Sequence, residues 1–264
     1  MSSAKFPAVA ALPWLGALAV VLVGSTKVGA TNEVVMRIPL DAVRLLAVVG
    51  CAAAALAFER GERLRLAWLL HASCMLLLFG RDVTLAVGVT SAHLQNALVL
   101  VANGCAVTGT WIMARTWRVA RIDLPGSAWQ QRTITVGAVG VALAIAGGSL
   151  VVDLRTALGG NPQGIVDFLS RASDVVELAL VAPIVLTALA MRGGVLWWPW
   201  VLLTASLACW IFYDAAGAIT PLFAVPAASM QLPREVLRTL ACAYLAAAGI
   251  AQRLVVQPVG AVGE

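Results

Sequence analysis

The chain has 264 residues, 61% of them hydrophobic and only 12% charged, with a mean hydropathy of +0.92. So few polar side chains cannot give most elements a wet face, which excludes an ordinary soluble domain. The net charge of +5 does not argue for a nucleic-acid partner, because the excess cations lie in short loops between apolar runs.

Those runs approach the roughly 20 residues that a helix needs to cross a hydrocarbon core. A spanning segment must satisfy its own backbone hydrogen bonds, so it is a helix or part of a closed barrel. The Ala/Leu/Val runs lack the strict alternation of barrel strands, which leaves helices. In chain order, spans are predicted over Ala8–Ser25, Pro39–Phe58, Leu66–Thr84, Leu94–Ala114, Thr133–Val152, Asp174–Met191, Val195–Asp214 and Pro233–Gln252. The first follows Lys5 but is not succeeded by a small-x-small cleavage site and a soluble domain, so it reads as a retained span. The third is interrupted near its end by Arg81 and Asp82, and Pro183 in the sixth is a candidate kink. The expected class is an all-α polytopic transmembrane bundle of about eight spans.

Basic loops set the expected orientation. Arg60, Arg63 and Arg65, then Arg115, Arg118, Arg121 and Arg132, then Arg192 fall on one side, with Lys5 and Arg253 at the ends. That side is expected to be cytoplasmic in a cell membrane, with both termini on it. Trp14, Trp129, Trp197, Trp198 and Trp200 sit near span ends, as interfacial anchors do.

The two halves resemble each other. Asp41-Ala-Val-Arg44-Leu-Leu matches Asp174-Val-Val-Glu177-Leu-Ala at a shift of 133 residues. Trp68-Leu-Leu followed by Asp82 matches Trp200-Val-Leu followed by Asp214 at a shift of 132. Near-identical shifts point to a parallel 4+4 internal repeat, with units 1–121 and 122–264 in one membrane domain.

Charges inside the spans demand partners or water, since each costs a few kcal/mol near a helix centre. Counted outward from the basic ends, Asp41, Arg44, Arg81, Asp82, Arg171, Asp174, Glu177, Asp214, Arg234, Glu235 and Arg238 all fall on the opposite side. Asp41/Arg44, Arg171/Asp174, Asp174/Glu177 and Glu235/Arg238 are spaced i,i+3, which sets each pair on one helical face. The expectation is an outward-opening charged hollow, with Asp41, Arg44, Arg81, Asp82, Asp174, Glu177, Asp214, Glu235 and Arg238 as candidate ligand-binding residues. His93 and Asn96 are candidates to join it. Snorkelling and capping at helix ends account equally well for Asp41, Asp82, Asp214 and Arg234.

The other half of the thickness is nearly free of ionisable groups. His71 is the exception and reads as a hydrogen-bonded packing residue. Asn103, Thr108, Thr110, Thr187, Thr204, Ser206 and Tyr244 are scattered, and such residues usually bond to neighbouring helices or to their own backbone. A simple ion channel, which needs polar groups along its full depth, is disfavoured. Cys51, Cys74, Cys105, Cys209 and Cys242 lie in apolar runs without paired spacing and read as packing residues, not disulfides or metal ligands. No metal or other cofactor is expected. Lys5 and Lys27 are the only lysines, and neither occupies a late span, so a retinal protein is not indicated.

Three functions compete. A binding, sensing or accessory membrane module leads; no kinase or cyclase domain follows the last span, so its output is expected to need a membrane or cytoplasmic partner subunit. A membrane-embedded enzyme on a lipid or isoprenoid-like substrate would draw general acids from Asp174, Glu177 and Glu235, although nearby arginines would pair with them. A small-solute carrier would suit the two-copy architecture.

Overall fold

The computed structural model describes residues 5–89, 91–222 and 226–256, and among them every regular element is a helix. The tail from Gln257 to Glu264 lies outside the described residues. In chain order the helices are α1 (Lys5–Gly24), α2 (Lys27–Thr31), α3 (Glu33–Ala55), α4 (Arg63–Ala86), α5 (Ala92–Ala114), α6 (Thr116–Val119), α7 (Ala128–Leu158), α8 (Pro162–Ala190), α9 (Trp197–Leu222) and α10 (Ala227–Val256). Eight of the helical segments are long and apolar enough to span a bilayer, so the chain is a multi-pass integral membrane protein.

Several helices start well upstream of their apolar stretches. Asn32 caps α3 by accepting from the backbone N–H groups of Val34 and Val35. Asn161 caps α8 by accepting from Gln163 N–H at 2.9 Å, with Pro162 preset for the first turn. Hydropathy marks only the part of a helix that meets lipid, whereas a cap marks where the backbone turns helical. Pro39 and Pro233 therefore lie inside α3 and α10 rather than at their starts. Helix α8 also runs continuously through Pro183, whose carbonyl accepts from Thr187 Oγ1 at 2.7 Å. The early starts have a consequence for the charges: Arg44 lies near the midpoint of α3, and Asp174 and Glu177 flank the midpoint of α8. All three are deeper than the apolar windows suggest.

Packing closes α3, α4, α5, α8, α9 and α10 into a ring in which each helix touches the next and α10 returns to α3. Helix α1 lies outside against α3 and α10, while α7 lies outside against α8 and, more lightly, α9. The α3–α10 seam is the tightest. A Cβ on Gly249 would fall 2.5 Å from the carbonyl carbon of Gly50, and one on Gly50 would fall 2.6 Å from the carbonyl oxygen of Ala246. Small residues let these backbones meet, and Ala243, Ala246, Ala247, Cys51 and Cys242 fill the surrounding core. All five cysteines are free.

Tryptophan placement differs from expectation. Trp14 and Trp129 are 61% and 73% exposed, but Trp14 lies at the midpoint of α1 and not near its end, Trp200 is a core residue and Trp198 stacks on Phe6 at 5.7 Å. The Phe6–Trp198 contact joins the first turns of α1 and α9 at the end where the basic loops cluster. At the opposite end Asn96 Nδ2 donates to Gln163 Oε1 at 2.8 Å, joining the starts of α5 and α8. Asn96 is thus occupied as a strut, and His93 is exposed, so neither joins the charged groups deeper in the bundle.

Candidate functional site

The nine candidate residues separate into two sets of different character. The first set is closed. Arg44 donates to Asp82 on α4 through a short contact and to Asp41 at 3.2 Å, and the side chains of Arg44 and Asp82 are both buried. Arg81 Nη1 lies 3.7 Å from the other oxygen of Asp82. Helix α10 adds a pair of its own, with Arg238 donating to Glu235 at 3.0 Å. Three acids and three arginines thus balance. Arg44 and Asp82 compensate each other's charge, while the Nε groups of Arg44, Arg81 and Arg238 are buried without a hydrogen-bond partner.

The second set is open. Asp174 and Glu177 on α8 and Asp214 on α9 line one narrow recess, together with Trp210. Among the described residues none of these three carboxylates has an arginine, lysine or histidine within ion-pair distance. Arg171 was expected to pair with Asp174 one turn away. It reaches across to α7 instead, donating to Asp153 at 2.7 Å, because the α7–α8 hairpin sets that carboxylate directly opposite. Arg234 stacks its guanidinium over the ring of Tyr213 at 4.5 Å. Arg171 and Arg234 act on Asp214 only through space.

Asp174, Glu177 and Trp210 also line a larger cavity of about 100 Å³ inside the helix ring. Its walls come from α4, α5, α8, α9 and α10, and include His71, Asn103, Thr110 and Ser206. The cavity extends from the acids toward the basic end of the bundle, into the half expected to be nearly dry. Ser206 is committed, donating to the Ala241 carbonyl at 2.7 Å. His71 is not. Only 5% exposed, it lines the cavity with its ring while Nε2, without a hydrogen-bond partner, faces Gly109 of α5, so it packs as expected but lacks the expected hydrogen bond there. An unsatisfied buried ring nitrogen is expensive unless something else meets it.

The mixture defines what the cavity can bind. Three carboxylates within electrostatic reach of one another repel in a medium of low dielectric, and a cation among them relieves that repulsion. Trp210 adds an aromatic face of the kind that attracts organic cations. Among the described residues no group of three His, Cys, Asp or Glu side chains is disposed to hold a metal ion.

The sequence spacing identified the acids but not His71, Asn103 or Trp210, whose helical positions look like ordinary core positions in an Ala/Leu-rich chain. The relevant signal is that Asp174 is followed by Glu177 where the first half has Asp41 followed by Arg44. Compared with known proteins, the chain matches no family model, no curated protein and no solved structure.

Proposed function

We propose that this protein is a membrane-embedded binding module, of sensing or accessory type, whose ligand carries a small organic cation such as a guanidinium or primary ammonium group. The observation that carries the reading is the Asp174/Glu177/Asp214 recess, three carboxylates without an ion-pair partner beside a cavity lined in part by His71 and Asn103. The cation would sit among the carboxylates with Trp210 on one side, and the neutral part of the ligand would extend toward His71 and Asn103. A cavity of about 100 Å³ limits that ligand to a few heavy atoms.

The reading includes an architecture. The chain is a 4+4 duplication of units 1–121 and 122–264, set in a cell membrane with the basic loops and both termini cytoplasmic. Supporting it, the neighbour relations of α3, α4 and α5 recur in α8, α9 and α10, and the α5–α8 contact corresponds to the α10–α3 contact. A partner subunit would receive the bound state.

The test is thermal unfolding of the purified protein in detergent with methylguanidinium, n-propylammonium, sodium or neutral n-propanol. The organic cations are expected to raise the melting temperature; at about ten times Kd the gain is about 1.4 kcal/mol. Glu177→Gln should lose the response. No shift with either organic cation, or an equal shift in Glu177→Gln, overturns the reading.

One observation favours a second reading, a carrier for the same cations. The cavity lies near the middle of the helices and is walled by both halves, which is where carriers place their substrate sites. Uptake of radiolabelled methylguanidinium into proteoliposomes separates the two: binding without flux identifies the module, and Glu177-dependent flux identifies the carrier.

A further inference from the structure

A larger cavity lies elsewhere. It has a volume of about 520 Å³ and lies between the end of α5, α6 and the loop after it, the start of α7 and the last third of α8. Its rim carries Arg115, Arg118 and Arg132, and its wall is apolar, formed by residues such as Val136, Leu180 and Leu186. No acidic residue lines it. Among the described residues none of the three arginines has a carboxylate partner. Two are held in place by stacking: the Arg115 guanidinium lies 4.1 Å over the Trp111 ring and that of Arg118 5.1 Å over Trp117. Stacking on a ring face leaves the N–H edge of a guanidinium free to donate in its plane.

The floor is built rather than accidental. Gln131 Nε2 reaches back to the Leu124, Pro125 and Gly126 carbonyls at 3.2, 3.5 and 3.2 Å, bracing the loop before α7. Arg121 takes a left-handed φ of 52° to let that loop turn. The cavity exists because α7 leans on α8 without packing along α5, whereas α1 packs closely on α10 at the other side of the ring. Helix α7, which forms one side of the cavity, is apolar, long enough to span a bilayer and exposed along most of its length.

We infer that this cavity is a binding site for an anionic phospholipid. The phosphate would take N–H donors from Arg115, Arg118 and Arg132, and the acyl chains would lie against Val136, Leu180 and Leu186. Charge complementarity selects the occupant: a basic pocket between membrane helices, open to lipid and apolar below its rim, matches a headgroup with attached chains. A soluble phosphate would leave the apolar wall bare, and a zwitterionic lipid would bring its own cation to an arginine rim.

The test is native mass spectrometry of the full chain released from micelles holding equal dioleoylphosphatidylglycerol and dioleoylphosphatidylcholine. The wild type is expected to retain one phosphatidylglycerol in preference to phosphatidylcholine. Changing all three arginines to glutamine should reduce that retention about tenfold or more, given the contribution of each cation near a headgroup. Thr135→Trp, which fills the cavity and leaves the arginines in place, should also lose the lipid, and it keeps the test open if the triple variant fails to fold. Equal retention of both lipids, retention unchanged in Thr135→Trp, or displacement by millimolar glycerol 1-phosphate would each overturn the assignment, the last by pointing to a free phosphate site.

Discussion

The two sides of the helix ring handle buried charge in opposite ways. On the side of α3, α4 and α10, Arg44 sits between Asp41 and Asp82, the α3–α10 backbones touch, and the charges are closed off. On the side of α5, α8 and α9, Glu177 stands beside Asp174 and Asp214, with no arginine in pairing range and a cavity alongside. The sequence shift of 133 residues sets Glu177 opposite Arg44. At that shift the first cluster holds an arginine between two aspartates where the second holds a third acid. It follows that the first triad serves as an internal control for the second: the same helix positions, with the cation supplied by the chain.

The largest predicted effect breaks the sealed side. Arg44→Met would leave Asp82 buried with only Arg81 nearby, and should cost about 3 kcal/mol, read as a lowered melting temperature in detergent. The double variant Arg44→Met/Asp82→Leu should recover most of the loss, because it removes the stranded charge as well. An unchanged melting temperature in Arg44→Met would show that the closed triad contributes no stability, and the contrast between the two sides would fail.

A smaller effect is expected at the seam. Gly249→Ala places a methyl 2.5 Å from the Gly50 carbonyl carbon and 2.8 Å from the Cys51 nitrogen, so the helices must part. The expected cost is about 1–3 kcal/mol. Gly104→Ala and Gly147→Ala, where a Cβ meets nothing within 4 Å, provide the comparison and should be neutral or mildly stabilising. If all three behave alike, close backbone approach does not hold α3 to α10.

These expectations show which parts of the molecule were legible in the sequence. The eight spanning helices were, because a run of apolar residues long enough for a bilayer has few other uses. The local pairs Asp41/Arg44 and Glu235/Arg238 were too, since i,i+3 spacing alone brings them together. Helix starts were misplaced where Asn32 and Asn161 begin a helix before its apolar stretch does. That error set Asp174 and Glu177 too near the surface. Arg171 was assigned to its neighbour one turn away, although a docked hairpin offered it Asp153. Which charges are sealed and which face a cavity depends on how six helices close into a ring, and no local pattern carries that. His71 illustrates the same limit: its spacing is that of a core residue, and only the folded ring of helices sets it on the cavity wall.

The smallest predicted effect on stability is the most informative about the comparison. Glu177→Arg would give the second triad the charge pattern of the first. The new guanidinium has the cavity to enter and two carboxylates, Asp174 and Asp214, to meet. The melting temperature should therefore stay within the equivalent of about 0.5 kcal/mol of wild type, in contrast to most charge reversals inside a membrane helix. The response to methylguanidinium should vanish, because the chain now supplies the cation that the ligand brought. If Glu177→Arg unfolds the protein as readily as Arg44→Met, the two triads are not interchangeable and the recess is not shaped for a guanidinium. If it is stable and still responds to methylguanidinium, the cation binds elsewhere. Stability retained with binding abolished is the outcome expected of a site built around a missing arginine.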